Sequence, residues 1–102
     1  MSDKRHSATS LGDALRSFLE QQGLTGRLAQ ASVLEEWPRL VGPTVARVTS
    51  PLSVAADGTL FVAVRTSAWM NELSLLEGEI LDAIRRGVPG AGIRRIRWQL
   101  AR

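Results

Sequence analysis

The hydrophobic pattern between residues 51 and 73 changes from a period of two to a helical spacing. Two short runs that favour strands flank Asp57-Gly58, a dipeptide typical of tight hairpin turns. In each run apolar side chains alternate with other residues, so each run presents one apolar face. The apolar positions are Leu52 and Val54 in the first run and Leu60, Val62 and Val64 in the second. This pattern predicts a β-hairpin.

An amphipathic helix is predicted to follow the hairpin directly. Thr66 or Ser67 can act as its N-cap by accepting a hydrogen bond from a free amide of the first turn. Apolar residues then recur every three or four positions, which places them on one side of a helix. They are Trp69, Leu73, Leu76, Ile80 and Ile84. We expect the helix to end at Arg85-Arg86-Gly87, where the cations suit the negative end of the helix dipole and the glycine suits a left-handed cap.

Two helices are predicted before the hairpin. The first stops near Gly23, and its apolar stripe consists of Leu11, Leu15, Phe18 and Leu19. The second carries the apolar residues Leu28, Ala31, Val33, Leu34 and Trp37. Pro38 cannot continue that helix without losing a hydrogen bond, so we expect it to open a short turn that Gly42 ends.

A loop and a third strand are predicted after the long helix. Residues 87–92 hold three glycines and a proline, which favours a loop. Residues 93–100 then alternate as a strand does. Ile96, Trp98 and Leu100 fall on one face, and Arg95, Arg97 and Gln99 fall on the other.

The predicted element order is α-α-β-β-α-β, a two-layer α/β sandwich with a three-stranded mixed sheet. The hairpin supplies two antiparallel strands, and the crossover helix returns the third strand parallel to the second. The helices are expected to cover one face of the sheet, which leaves the other face open. We expect a disordered polar tail over residues 1–9 and a single domain over residues 10–102.

An ordered set of residues resembles the DciA family, bacterial replication proteins with a KH-like domain that act on the replicative helicase. The resemblance covers roughly residues 10 to 100. It rests on Trp37 with Gly42, Pro51, Gly58-x-Leu60, and Ser67-x-Trp69-x-x-Glu72-Leu73. It implies a KH-like fold, DNA as a ligand and the replicative helicase as a protein partner.

The charge distribution adds a candidate partner class. Net charge is only +3, but residues 83–102 contain six arginines and no acidic residue. A basic surface of this kind favours a polyanionic partner. Alternatively, these arginines form surface ion pairs with the carboxylates of the preceding helix, which are Glu72, Glu77, Glu79 and Asp82.

The residue types needed for common catalytic sites are scarce. The single histidine is His6, in the polar tail, and there is no cysteine, so a zinc site or a histidine-assisted nucleophile is not expected. Glu79 and Asp82 are one helical turn apart and could share a cation, but a solvated helix face is the interpretation that we favour. We therefore expect no enzyme activity, no cofactor, no metal and no small-molecule substrate. Apolar runs too short to cross a bilayer and a polar N-terminus without a secretory signal favour a cytoplasmic location.

Candidate nucleic-acid contacts lie on the predicted open face and in the arginine-rich segment. Phe61 alternates out of phase with its apolar neighbours, so it is expected on the open face beside Arg65, Arg95 and Arg97. It could stack on a base, dock a protein or pack against the N-terminal segment. The three tryptophans fall on apolar stripes and are interpreted as core residues. The candidate contacts are Phe61, Arg65, Arg85, Arg86, Arg94, Arg95 and Arg97.

The sequence Gly87-Val88-Pro89-Gly90 matches the G-x-x-G with which KH domains clamp backbone phosphates. Here it precedes a predicted strand, so we favour a helix cap followed by a Pro-Gly turn, although the nearby arginines keep phosphate binding as an alternative. Taken together, the sequence predicts a non-catalytic module that binds single-stranded or forked DNA and associates with the replicative helicase. A protein adaptor without nucleic-acid binding and a KH-like RNA-binding protein remain as alternatives.

Overall fold

The computed structural model describes residues 11–18 and 24–102. The predicted polar tail, Leu19 and the predicted helix end near Gly23 lie outside the described residues. The helices are α1 (residues 11–18), α2 (Leu24–Glu35), α3 (Trp37–Val41), α4 (Pro43–Val48), α5 (Ser67–Leu75) and α6 (Glu77–Gly87). The strands are β1 (Thr49–Val54), β2 (Thr59–Val64) and β3 (Arg95–Leu100).

The strands form one mixed sheet in the order β1-β2-β3. β1 pairs with β2 in antiparallel fashion, and β2 pairs with β3 in parallel fashion. The predicted α/β sandwich with a three-stranded mixed sheet is therefore confirmed. The hairpin turn contains Gly58 at φ +91°, a backbone region that favours glycine, as a tight turn requires.

The hydrophobic core lies between one face of the sheet and the helices. Leu60, Val62 and Val64 of β2 are fully buried, which confirms the phase predicted for this strand. From the helices Val33, Trp37, Leu73, Ile80 and Ile84 pack into the same core. Trp69 and Trp98 are half-buried at its edge. The N-cap of α5 is Thr66, whose Oγ1 accepts a hydrogen bond from the Trp69 amide at 3.1 Å.

The apolar stripe of α1 does not join this core, contrary to the prediction that both N-terminal helices complete the helical layer. The exposed fractions of Leu11, Leu15 and Phe18 are 73%, 58% and 55%. Leu28 on α2 is also exposed. Helical spacing shows that apolar residues share a side, but it does not specify what that side contacts.

The helices are more divided than the predicted α-α-β-β-α-β order. Pro43 begins α4, a helix that was not predicted, because proline is tolerated where the first turn needs no amide donor. Gly42, at φ +90°, separates α3 from α4. The predicted long helix breaks at Leu76 into α5 and α6.

Gly87 ends α6 as predicted, but it does not adopt a left-handed cap. Its role is steric, because a Cβ atom at this position would collide with the side chain of Leu40. Glycine therefore allows the end of α6 to approach α3 closely.

An extra residue in β1 changes the predicted apolar face of the hairpin. The pairing register shifts between Pro51 and Ser53, so Leu52 is left without a partner opposite it. Its exposed fraction is 47%, whereas Val54 returns to the core side opposite Leu60. The third strand begins at Arg95 rather than Ile93, and Leu100 at its end is exposed.

Candidate nucleic-acid interface

The face of the sheet opposite the core carries the candidate nucleic-acid contacts, and we call it the open face. On β2 and β3 the register places Thr59 beside Arg95, Phe61 beside Arg97 and Ala63 beside Gln99. The three β3 side chains are exposed, and Phe61 is half-buried. The open face therefore combines cations, an amide and one aromatic ring.

Phe61 and Arg97 form the centre of the open face. They are direct neighbours across the parallel ladder, whose strands lie about 4.8 Å apart. Among the described residues, no carboxylate lies within ion-pair distance of Arg97. A guanidinium beside an aromatic ring presents a charge for a phosphate and a flat surface for a base.

Arg95 is already engaged at the turn end of the open face. Its Nη1 lies 3.3 Å from Asp57 Oδ2 and 3.3 Å from Thr59 Oγ1. Hydrogen bonds from the side chain and then the amide of Thr59 hold the pKa of Asp57 below its usual value, and the charge of Arg95 contributes to this. Asp57 therefore remains ionised and partly neutralises the charge of Arg95, whereas no carboxylate among the described residues pairs with Arg97.

The remaining candidate arginines lie away from the Phe61–Arg97 pair. Arg65 lies past the end of β2, level with Ala101, so it is about 13 Å along the sheet from Arg97. The prediction that Arg65 lies beside Arg95 and Arg97 is therefore wrong. Arg86 is exposed on α6, in the helical layer. Arg85 and Arg94 line a cleft beside the hairpin turn.

The helix carboxylates neutralise few of these arginines. Asp82 pairs with Arg85 at 3.5 Å, one turn along α6, and both side chains are largely exposed. Exposed pairs of this kind contribute about 0–1 kcal/mol. Within the described residues, this is the only ion pair that joins an arginine of residues 83–102 to the acidic residues of α5 and α6.

Glu77 has a specific role that the sequence did not indicate. Its carboxylate accepts hydrogen bonds from the Trp98 indole Nε1 at 3.3 Å and from the Ile96 amide at 3.2 Å. It thus joins the start of α6 to the outer edge of β3. The partners lie 19 and 21 residues away along the chain, so no local pattern could identify them.

The other signature residues support the scaffold. The Trp37 indole donates to Thr49 Oγ1 at 2.8 Å, and that hydroxyl donates to the Val45 carbonyl at 2.7 Å. Pro51 lies on the edge strand β1 opposite Val62, where its missing amide is not needed. Leu73 is fully buried. These contacts fit structural roles for Trp37, Pro51 and Leu73.

The described part of the chain contains no group of histidine, cysteine, aspartate and glutamate residues that could hold a metal ion. In the same part, no helix has the length and apolar character needed to cross a membrane.

Comparison with known proteins gives a consistent family relationship. The family model described as "Dna[CI] antecedent, DciA" matches residues 10–98. A UPF0232 protein of Mycobacterium marinum is 30% identical over 83 residues, which cover 81% of this chain and 43% of the relative. A UPF0232 protein of Mycobacterium tuberculosis is 29% identical over 87 residues, 85% of this chain and 46% of the relative. The matched segment thus covers less than half the length of these relatives.

Proposed function

Because the chain belongs to the DciA family, we propose that it is a non-catalytic protein that binds single-stranded or forked DNA and associates with a bacterial replicative helicase. The observation that carries the DNA-binding part is the Phe61–Arg97 pair on the open face. The helicase part is supported by the family, whose description refers to DnaC and DnaI-type proteins as its successors.

The chemistry of the open face suits single-stranded DNA. Every base has a π-face, so stacking on Phe61 is independent of sequence and is worth about 1–3 kcal/mol per base. Arg97 supplies a charge for a backbone phosphate, and phosphate contacts carry no sequence information. We therefore expect binding that depends strongly on salt and weakly on base identity.

Binding to DNA is tested by fluorescence anisotropy with single-stranded DNA, duplex DNA and RNA over a range of salt concentrations. Arg97→Gln should weaken single-strand binding and reduce the slope of log affinity against log salt by about 0.7, the value for one lost phosphate contact. Phe61→Leu should weaken binding without changing that slope. Arg47→Gln, on an exposed arginine of α4, is the control with the same loss of charge.

The outcomes separate the alternatives. If Arg97→Gln and Arg47→Gln reduce binding to single-stranded DNA equally, the effect of the lost charge is non-specific. That result would contradict the open-face site. Tighter binding to RNA would favour the RNA-binding alternative. Helicase association is measured separately, by co-elution of the purified chain with the replicative helicase of its own organism.

A protein adaptor without nucleic-acid binding remains a second candidate, because α1 exposes an apolar stripe. Helicase co-elution without salt-dependent binding to any nucleic acid would favour the adaptor. In that case Leu15→Asp on α1 should abolish co-elution while leaving the free energy of unfolding nearly unchanged.

A further inference from the structure

A cleft beside the hairpin turn has the features of an anion site distinct from the open face. Its floor is a loop between α6 and β3 that three buried apolar side chains anchor, those of Val88, Ala91 and Ile93. Gln30 of α2 donates from Nε2 to the Ala91 carbonyl at 3.2 Å, which ties this loop to the helical layer. The loop is therefore a fixed part of the fold.

The hairpin turn packs directly against this loop. The Gly58 carbonyl accepts a hydrogen bond from the Arg94 amide at 2.8 Å. A Cβ atom on Gly58 would lie 2.6 Å from the Gly92 carbonyl oxygen and 2.7 Å from Arg94 Cγ. The hairpin turn thus packs against the Gly92 backbone and the aliphatic stem of Arg94, and both turns border the cleft.

In the described part of the chain, two arginines line the cleft, together with two residues whose backbone amides have no intramolecular acceptor. Arg85 and Arg94 both line it, together with Gly92 and Ile93. Among the described residues, Arg94 has no carboxylate within ion-pair distance, and no acceptor takes the amides of Gly92 and Ile93. Gly92 has φ +68°, and successive amides around a left-handed residue form concavities that bind anions.

The nearby carboxylates do not cancel this charge. Asp57 also lines the cleft, but it is paired with Arg95 on the open face. Asp82 lies 3.5 Å from Arg85 in an exposed pair, which an anion in the cleft can replace at small cost. The surplus charge at the cleft comes from Arg94 and from the part of Arg85 that this pair leaves available.

We propose that this cleft binds one phosphate group of a polynucleotide backbone, held by Arg85, Arg94 and the amides of Gly92 and Ile93. The proposal rests on the DNA binding proposed above and adds a second contact point to it. Arg94 directly precedes β3 and lies three residues before Arg97, about 10 Å of extended chain. Residues of α2 and α6 also line the cleft, so a DNA strand whose base stacks on Phe61 would reach it by passing the hairpin-turn end of the sheet. A phosphate contact there would fix the position of the DNA without reading sequence.

The test combines amide chemical shifts with DNA affinity. In the ¹⁵N-labelled chain, inorganic phosphate and an oligo-dT strand should each shift the amide signals of Gly92 and Ile93, with sodium chloride of equal ionic strength as the reference. Arg85→Gln with Arg94→Gln should abolish both shifts. Because both side chains hold one phosphate, the double variant should reduce the salt slope for oligo-dT by about 0.7 rather than twice that value.

Two further variants control for charge and folding. Arg86→Gln removes the neighbouring charge on α6 outside the cleft and should leave the Gly92 and Ile93 shifts unchanged. Arg94→Lys keeps the charge and the aliphatic stem that packs on Gly58, so it should retain most of the binding if the fold is intact.

Each outcome decides a separate point. If oligo-dT binds through Arg97 but the cleft variants leave its affinity and the two amides unchanged, the cleft proposal is wrong and the proposed function stands. If inorganic phosphate shifts the two amides but no polynucleotide binds, the cleft is a site for free phosphate compounds and the backbone assignment is overturned. If neither probe shifts these amides, the cleft is not an anion site.

Discussion

The two faces of the β2–β3 ladder differ in how their polar and charged groups are satisfied. On the core face the indole of Trp98 and the amide of Ile96 share the Glu77 carboxylate, and the apolar side chains are covered by helices. On the open face Phe61 is only half-buried, and Arg97 has no carboxylate partner among the described residues. The core face therefore supplies stability, and the open face keeps its interactions available for a ligand.

The largest expected contrast comes from two adjacent residues of β2. Leu60 is fully buried on the core face, so Leu60→Ala should lower the free energy of unfolding by about 2–5 kcal/mol. Phe61→Ala removes a larger side chain from the open face but should cost clearly less stability, and it should weaken single-strand binding. Urea denaturation and DNA anisotropy measure the two effects. Equal losses of stability would show that Phe61 is a core residue and remove the distinction between the faces.

A second contrast concerns the hairpin turn, which packs against the loop between α6 and β3. Gly58→Ala should destabilise the fold by about 1–3 kcal/mol from backbone strain at φ +91°, with a further cost from the close Gly92 carbonyl. Gly78→Ala is the matched control, because its Cβ would meet no atom within 4 Å and alanine favours a helix. An unchanged denaturation midpoint for Gly58→Ala would mean that the turn and the loop separate readily.

The next largest expected effect on stability concerns Glu77, whose carboxylate accepts hydrogen bonds from both Trp98 and Ile96. A glutamine has one carbonyl oxygen, so Glu77→Gln should leave either the Trp98 indole or the Ile96 amide without its acceptor. The expected loss is about 1–3 kcal/mol at most, since the site is part-buried. Glu79→Gln, on the exposed side of α6, should change stability by no more than about 0.5 kcal/mol. Equal effects of the two substitutions would contradict a specific role for Glu77.

The sequence predicted those features that depend on neighbours along the chain. The alternation in β2, the Thr66 cap and the turn at Asp57-Gly58 are all set within a few residues, and the structure confirms them. The family resemblance, which rests on an ordered set of such local features, is confirmed by the family model that matches residues 10–98. Local chemistry was therefore sufficient for the hairpin and the strand order, but it did not predict the unpaired Leu52 in β1 or the helix break at Leu76.

The features that the sequence could not predict depend on contacts between distant segments. The Glu77–Trp98 hydrogen bond, the exposure of the α1 stripe and the separation of Arg65 from Arg97 all follow from how elements pack and from strand register. The same limit applies to the candidate site. The candidate arginines were predicted on the open face and in one arginine-rich segment, whereas the structure distributes them between the open face, the cleft, the helical layer and the far end of β2.

The smallest expected effect on stability is the pH dependence due to Asp57, which links the open face to the turn. Thr59 and Arg95 lower its pKa in the folded chain below the ordinary value of 3.8. A group with a lowered folded pKa stabilises the fold above its unfolded pKa, and this contribution is lost as the pH falls through the folded value. The difference in free energy of unfolding between the parent and Asp57→Asn should therefore be constant at neutral pH and shrink below about pH 3.8.

The same substitution sharpens the contrast between Arg95 and Arg97 at neutral pH. Asp57→Asn removes the carboxylate that occupies Arg95, so Arg95 becomes available to a backbone phosphate. Single-strand affinity should rise, and the salt slope should grow by up to about 0.7. Glu79→Gln is the control for loss of one exposed negative charge, because among the described residues no arginine lies within ion-pair distance of Glu79. Combining Asp57→Asn with Arg95→Gln should cancel the gain, because no freed cation remains on the open face. If the gain persists in that double variant, Asp57 acts on DNA through general repulsion, and its pairing with Arg95 does not set how strongly the open face binds.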